Sequence, residues 1–298
     1  MCDMDTEMSI WMLTLLGCWS DAPVAGAALG PGSERPVWMF RHGPRGWERH
    51  SDSIAHSVSS LGLGIVDGQL VLTMQCFWGD CGSEIKRKQI GPPVHLLSTS
   101  DLKTFEPGMI RLVDPEDRVP IDTEMRSEAG ASVVWYYGTQ AGMTGDPAEH
   151  ANAHGIYRAR VQDNRLVDPV QMISGPGLAD PAPIELSNET VVFLTTLPGR
   201  QIGMAKGTPL KIQRTWSGVS VPHAMVVGTE LWLWAQTVRE GRMIPVRAKS
   251  RDAGQTWTDW EAPLPLEGLD GCGNPVGAVF AETPVVFCVS EPLAAPRP

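Results

Sequence analysis

The chain has 298 residues, 24 Lys and Arg against 34 Asp and Glu, and a formal charge of -10. That balance leaves no basic surface able to hold a phosphate backbone, which excludes nucleic acid as a partner and suits a soluble, exported protein. With 31 Gly and 25 Pro, and short β-rich runs in place of any long stretch of period 3.6, the composition predicts an all-β chain with little helix.

Residues 1–17 contain a short apolar run, Met8 to Leu16, ending in Leu15-Leu16-Gly17-Cys18. This resembles a bacterial lipoprotein signal, in which a small residue precedes a Cys that becomes lipid-modified, and it implies a lipid anchor at Cys18. The leader carries acids where such signals have Lys or Arg, so Met4 and Met8 are alternative starts. Residues 18–35, rich in Ala, Gly, Pro and Ser, read as a flexible tether. A single domain is expected over 36–292, followed by a tail at 293–298. Export to the cell envelope, with the lipid as the only membrane contact, is the expectation.

Two spacings organise the domain. A small residue followed seven later by an apolar plug occurs as Ser98/Phe105, Ala159/Leu166, Ala205/Ile212 and Ser250/Trp257. A small or acidic residue lies 13 before an apolar strand position as Ser59/Leu72, Asp122/Trp135, Asp180/Phe193, Ser220/Leu233 and Asn274/Phe287. Turn signals such as Asp67-Gly68, Asn188-Glu189 and Gly228-Thr229 fall inside these units. Each unit reads as strand, hairpin, strand, loop, strand, turn, strand, which is one propeller blade.

Five such units predict a five-bladed β-propeller. The last unit is short of strands, and an open edge must be covered. Pro36 to Phe40 and Ser53 to Val58 are the predicted donors, so the N-terminal strands would complete the last blade and close the ring.

Ser250 to Trp257 reads S-R-D-A-G-Q-T-W and resembles the Asp-box turn of sialidases and other propellers. In that turn Ser250 and Asp252 fold back on backbone N–H groups, Gly254 supplies the unusual φ, and Trp257 plugs the blade. Asp252 is therefore expected to be structural.

Ile121-Asp122-Thr123-Glu124, then Val134 to Gly138, His154 to Ala159 and Ser100 to Phe105 resemble the five-bladed propeller glycosidases typified by arabinanases and β-xylosidases, over residues 36 to 292. The resemblance implies a glycoside hydrolase-like function on an extracellular glycan, with residues at the starts of the innermost strands converging on one axial pocket. Glycoside hydrolysis takes two carboxyl groups, roughly 5.5 Å apart for retention or ~6.5 to 9.5 Å for inversion. Asp122 and Asp180 are the leading candidates, with Glu124 and Glu185 behind them.

The catalytic Asp that opens the first blade in that family falls here on Ser59 or Ser60. The family's acidic Glu on the third blade falls near Glu185, which strand alternation places on the face opposite Asp180. The structural alternative for Asp122 and Asp180 is a loop-fixing role before a strand, which Asn274 fills without a carboxylate. These departures keep open a non-catalytic carbohydrate-binding or scaffold propeller.

A sialidase-like exo-glycosidase is a further alternative, drawing its carboxylate-binding triad from Arg41, Arg45, Arg49, Arg126 and Arg158, although sialidases carry one blade more. His56, His223 and Asn274 are candidate pocket-lining residues. Trp47 and Trp78 are candidate sugar-stacking residues in rim loops, and Trp135, Trp232 and Trp257 are core plugs.

Cys76 and Cys81, and Cys272 and Cys288, are disulfide candidates; their spacing does not suit zinc, and the spacing of His150 and His154 falls in a loop, so no metal site is expected. No Walker, dinucleotide-binding, H-E-x-x-H or G-x-S-x-G motif occurs, so no cofactor is expected, and the protein is expected to act as a monomer on a carbohydrate.

Overall fold

The computed structural model describes residues 35–55, 60–75, 94–110, 112–116, 118–140, 154–163, 165–175, 177–186, 189–196 and 201–290. Among them every regular element is a β-strand. The segments assigned above to signal, anchor and tether, and the C-terminal tail, lie outside the described residues.

β1 (Val37–Gly43) and β2 (Gly46–Arg49) begin the described chain. Blade 1 is β3 (Ser60–Val66), β4 (Gln69–Gln75), β5 (Val94–Thr99) and β6 (Glu106–Ile110). Blade 2 is β7 (Arg118–Glu128), β8 (Ala131–Gln140), β9 (Gly155–Gln162) and β10 (Arg165–Ser174). Blade 3 is β11 (Leu178–Leu186), β12 (Glu189–Thr196), β13 (Gln201–Lys206) and β14 (Lys211–Trp216). Blade 4 is β15 (Ser220–Val227), β16 (Glu230–Arg239) and β17 (Arg242–Ser250), extended at its outer edge by Glu261, whose N–H and C=O pair with those of Arg247. Blade 5 is β18 (Gly273–Phe280) and β19 (Thr283–Val289), completed by β1 and β2.

Each blade is an antiparallel meander, and β3, β7, β11, β15 and β18 stand side by side around the axis, each touching the next. The chain is therefore the five-bladed propeller that its repeats predict.

The ring closes by joining the two ends of the sequence. β1 pairs antiparallel with β19 from Val37↔Val289 to Arg41↔Val285, so the predicted donor at Pro36 to Phe40 covers the open edge of β19. The second donor is different from the one expected. The outermost strand of blade 5 is β2, whereas Ile54 and Ala55 only cross β1 near Val37. The reason is the tight Gly43-to-Gly46 turn, which folds the chain straight back along β1 before residue 53 is reached. A disulfide between Cys272 and Cys288 ties the start of β18 to β19 within this blade. Closing a 16-residue separation restricts the unfolded chain by about 3 kcal/mol. Cys76 and Cys81 lie outside the described residues.

Two-residue hairpins join the inner strands to their neighbours. Asp67-Gly68 has φ values of 49° and 76°, as a type I′ turn requires, and Ala129-Gly130 repeats this with 49° and 77°. The third outer-turn plug is displaced from its expected place: Ile212 pairs with Ala205 but is exposed, and Leu210 fills the interior instead.

Inner strands approach so closely that side chains are excluded between some of them. An added Cβ on Gly62 would lie 2.0 Å from the Thr123 carbonyl oxygen, and one on Gly64 would lie 1.8 Å from that of Met125. Backbone meets backbone between blades 1 and 2, and only Gly fits there. Replacing Gly64 by Ala is expected to lower stability by about 3 kcal/mol, through forced separation of the two blades. Gly43→Ala, whose Cβ would find its nearest neighbour at 3.9 Å, should be close to neutral. Urea unfolding of both variants checks this.

Candidate functional site

The site grows from one irregularity repeated around the axis. The pairing of the first two strands slips between Ile121 and Glu124, Ala179 and Ala182, Ser220 and His223, and Gly273 and Val276. Each slip is a β-bulge, and within it Asp122, Asp180, Val221 and Asn274 adopt φ of 51°, 49°, 53° and 49°. Asp and Asn tolerate this left-handed conformation, whereas Val221 is strained by it. Pro181, Pro222 and Pro275 come next, at places where the broken ladder needs no N–H. Counting back from the hairpins puts Ser60 at the same level in blade 1.

Ser60, Asp122, Asp180, Val221 and Asn274 thus form one ring at the start of the inner strands. The fourth member is Val221, since His223 pairs with Trp234 where Ser220 and Leu233 were expected to be aligned. The first member is Ser60, Ser59 lying outside the described residues.

Each strained bulge is held from the preceding blade. Gln75 accepts the Thr123 N–H at 3.2 Å, Thr195 Oγ1 accepts that of Val221 at 2.8 Å, and Gln236 Oε1 accepts that of Asn274 at 2.8 Å. These three acceptors each sit fifteen residues after the ring position of their own blade (60 to 75, 180 to 195, 221 to 236). That spacing was present in the sequence and is the signal that could have found them. Between blades 2 and 3 the acceptor is Asp122 itself, whose Oδ2 takes the Asp180 N–H at 3.4 Å.

Asp122 and Asp180 are therefore neighbours at the axis, and each perturbs the other. Both keep partial solvent contact on the open side, yet the protein around them is dense enough for desolvation to dominate. Burial, and then the charge of Asp122, push Asp180 up to about 8 against the pull of the Thr195 hydroxyl. Burial raises Asp122 as well, opposed by the Ser60 hydroxyl and the Asp180 N–H, which favour its ionised form. Asp180 therefore keeps its proton toward neutral pH, and the two carboxyls titrate as a pair.

Glu124 and His223 lie deeper along the axis. His223 Nδ1 accepts the Gly277 N–H at 3.2 Å, which leaves the hydrogen on Nε2. That Nε2–H is 3.2 Å from Glu124 Oε2 and 3.2 Å from the Leu63 carbonyl oxygen. Arg126 Nη2 donates to Glu124 Oε1 at 3.0 Å and to the Pro183 carbonyl oxygen. All five blades contribute to this buried cluster. Glu124 and His223 are thus bound to each other and to the walls, one level below the aspartates.

The remaining candidates are dispersed. Glu185 is exposed at the hairpin end of β11, bound by the Thr190 hydroxyl, at the end of the axis away from Asp180. Trp47 lies on β2, the outermost strand of blade 5, packed edge-on against Trp234 at 5.3 Å between ring centroids, so it serves the join between blades 4 and 5 and not the axial rim. Asn274 is in the ring. His56 and Trp78 lie outside the described residues, as does His150, while His154 stacks on Tyr137 at 5.8 Å. Among the arginines, Arg158 pairs with Glu128 on the third strand of blade 2, Arg45 pairs with Glu48 beside β2, and Arg126 is in the axial cluster. The described residues hold no cluster of three or more His, Cys, Asp or Glu suited to a metal ion.

The turn after β17 is closed by its own side chains. Ser250 Oγ accepts the Gly254 N–H at 2.8 Å, and Asp252 accepts the Thr256 N–H at 2.8 Å and its hydroxyl. The Thr256 hydroxyl above all holds Asp252 down to about 2. Trp257 reaches back to blade 3, 5.9 Å from Phe193. Asp252 is far out on its blade, consistent with a purely structural use.

No family model matches the chain, and no curated protein matches it in sequence. Its fold is shared with solved glycoside hydrolases. A thermostable family-43 glycoside hydrolase superposes with a TM-score of 0.53 at 10% identity, covering 81% of this chain and 95% of that one. An α-L-arabinofuranosidase from Clostridium thermocellum gives 0.51 at 10% identity, covering 76% and 80%. An exo-β-1,3-galactanase from Phanerochaete chrysosporium, bound to β-1,3-galactotriose, gives 0.50 at 8% identity over 84% of this chain, which spans 64% of the galactanase. At these identities the likeness shows the propeller fold alone.

Asp180 makes stability depend on pH. Between the ordinary 3.8 and about 8 the folded protein keeps a proton that the unfolded chain has lost. Stability from this group therefore falls as pH rises through that window and levels off above it. Comparing thermal or urea unfolding of wild type and Asp180→Asn should show the variant gaining relative stability as pH rises from about 4 to 8, with a slope of at most about 1.4 kcal/mol per pH unit. A pH-independent difference would mean that Asp180 is ionised in the fold.

Proposed function

We propose that this protein is a carbohydrate-active propeller that binds an extracellular glycan at the axial mouth and hydrolyses a glycosidic bond there. The observation that supports this reading is the Asp122–Asp180 pair, two carboxyls on neighbouring blades joined through the Asp180 N–H, with burial and the neighbouring charge pushing Asp180 up to about 8. Asp180 would give its proton to the glycosidic oxygen as the bond from that oxygen to the anomeric carbon breaks. Asp122 would take a proton from the water whose oxygen forms the new bond to that carbon. The Asn274 amide and Ser60 hydroxyl beside them can orient sugar hydroxyls, and Val221 offers an apolar contact for a C–H face. Glu124 is committed to Arg126 and His223 and would act only by supporting the floor of the site.

One observation favours a second reading, a non-catalytic carbohydrate-binding propeller. Asp122 stands where Gln75, Thr195 and Gln236 stand at the other joins, accepting a bulge N–H. A carboxylate already used as a clamp can bind a glycan without turning it over. In either reading we place the protein outside the cytoplasm, anchored through Cys18, and the Cys272–Cys288 disulfide supports an oxidising compartment.

A panel of aryl glycosides and glycans separates the two. For the enzyme, Asp180→Asn and Asp122→Asn should each lower kcat by about 100-fold or more while leaving the fold intact, since an Asn at 122 still offers an oxygen to the Asp180 N–H. Turnover unaffected by both changes would remove the pair from the chemistry. Glycan binding without turnover in the wild type would establish the second reading.

A further inference from the structure

The two ends of the axis are chemically different, and the end away from the aspartates has its own concavity. It has a volume of about 650 Å³, within the range of ligand sites, and every blade supplies part of its wall. Ile65 comes from blade 1, Arg126 and Glu128 from blade 2, Glu185 from blade 3, Val226 from blade 4 and Val279 from blade 5. Ile65 is 41% exposed and Val226 43%, branched apolar side chains shown to solvent in the same hollow.

The polar groups there are oriented and only partly used. Arg126 is fixed through Nη2 by Glu124 and the Pro183 carbonyl, and among the described residues no acceptor engages its Nε or Nη1. Its guanidinium thus keeps a rigid edge of N–H donors on the cavity wall. Glu185 receives the Thr190 hydroxyl on Oε1, and no described donor engages Oε2.

Charge narrows the occupant. Arg126 is balanced by Glu124, and Glu128 by Arg158, which leaves Glu185 as the unbalanced group. A phosphate, sulfate or carboxylate would meet that carboxylate without a cation to spare. A neutral ligand that accepts from Arg126, donates to Glu185 and lays C–H groups on Ile65 and Val226 meets every feature of the wall. A saccharide unit has this combination of hydroxyl oxygens, hydroxyl hydrogens and an apolar face.

We infer that the hairpin end of the axis is a second carbohydrate-binding site for a neutral saccharide, separate from the Asp122–Asp180 mouth and built on Arg126, Glu185, Ile65 and Val226. Glu185, which the sequence offered as a carboxylate for the first mouth, belongs to this second one. The site would hold a further part of a glycan chain on the opposite face of the ring without any chemistry of its own.

The test uses the full chain with 13C-labelled Ile and Val methyl groups, titrated with cellobiose, lactose and xylobiose in turn, and with n-propylamine as a cationic control. The expected result is saturable movement of the Ile65 and Val226 methyls with at least one disaccharide. Glu185→Gln and Val226→Asp, both at exposed positions, should weaken the Ile65 response by about tenfold, while Asp122→Asn leaves it unchanged. Methyls that stay still with all three sugars, move only with the amine, or respond equally in the two variants would overturn the inference. Because the readout sits at Ile65, loss of turnover or binding at the aspartate mouth does not affect it.

Discussion

Five inner strands converge on an axis with room for only a few side chains, and the polar groups carried there have to satisfy one another. Glu124, Arg126 and His223 do so with the Leu63 and Pro183 carbonyls and the Gly277 N–H. A buried carboxylate alone would cost several kcal/mol in lost hydration, and so would a buried guanidinium. Together, with the backbone of the other three blades filling the remaining bonds, they can be held inside. The cluster therefore fixes blade-to-blade register as much as it adds stability, because it is complete only when all five blades are in place.

From that cluster the chemistry divides into two levels. Toward the strand starts, bulges turn Asp122 and Asp180 to the axis, and the clamp from each preceding blade holds the strained backbone. Toward the hairpins, the same inner strands present Ile65, Val226 and the outer edge of Arg126. Farther out the blades are joined by aromatic contacts, with Trp257 on Phe193 and Phe105 on Phe287, while within blade 4 the Arg247 guanidinium lies 4.1 Å from the Trp232 ring centroid. These outer contacts allow the inner ring to be polar, since the apolar burial that holds the blades together lies between them and not on the axis.

Architecture was readable where it depended on local conformation. Asp67-Gly68 announced its hairpin, and the Asp122, Asp180 and Asn274 spacings marked bulges that recur because each blade must turn its inner strand in the same way. Closure was readable from a missing strand pair, although β2, and not residues 53 to 55, forms the outermost strand, because a turn at Gly43 acts first. The site was legible only in part. Asp122 and Asp180 could be nominated from their blade positions, but the role of Asp122 as a clamp for Asp180 requires the two blades to be in contact. The axial cluster was out of reach, since its bonds span 57, 54 and 160 residues and no single member carries a motif. Trp47 and Glu185 were misplaced for a similar reason: which end or edge a residue faces follows from where its strand sits in the finished ring.

Function rests on the claim that Asp180 keeps its proton at neutral pH, because a pair with both groups ionised has no acid to offer a leaving group. The direct measurement is a 13C NMR titration of the aspartate carboxyls in the intact protein, assigned through Asp122→Asn and Asp180→Asn. Asp180 is predicted to titrate near 8, with Asp122 losing its proton first. Two carboxyls that both titrate near the ordinary aspartate value of about 3.9 would contradict the account.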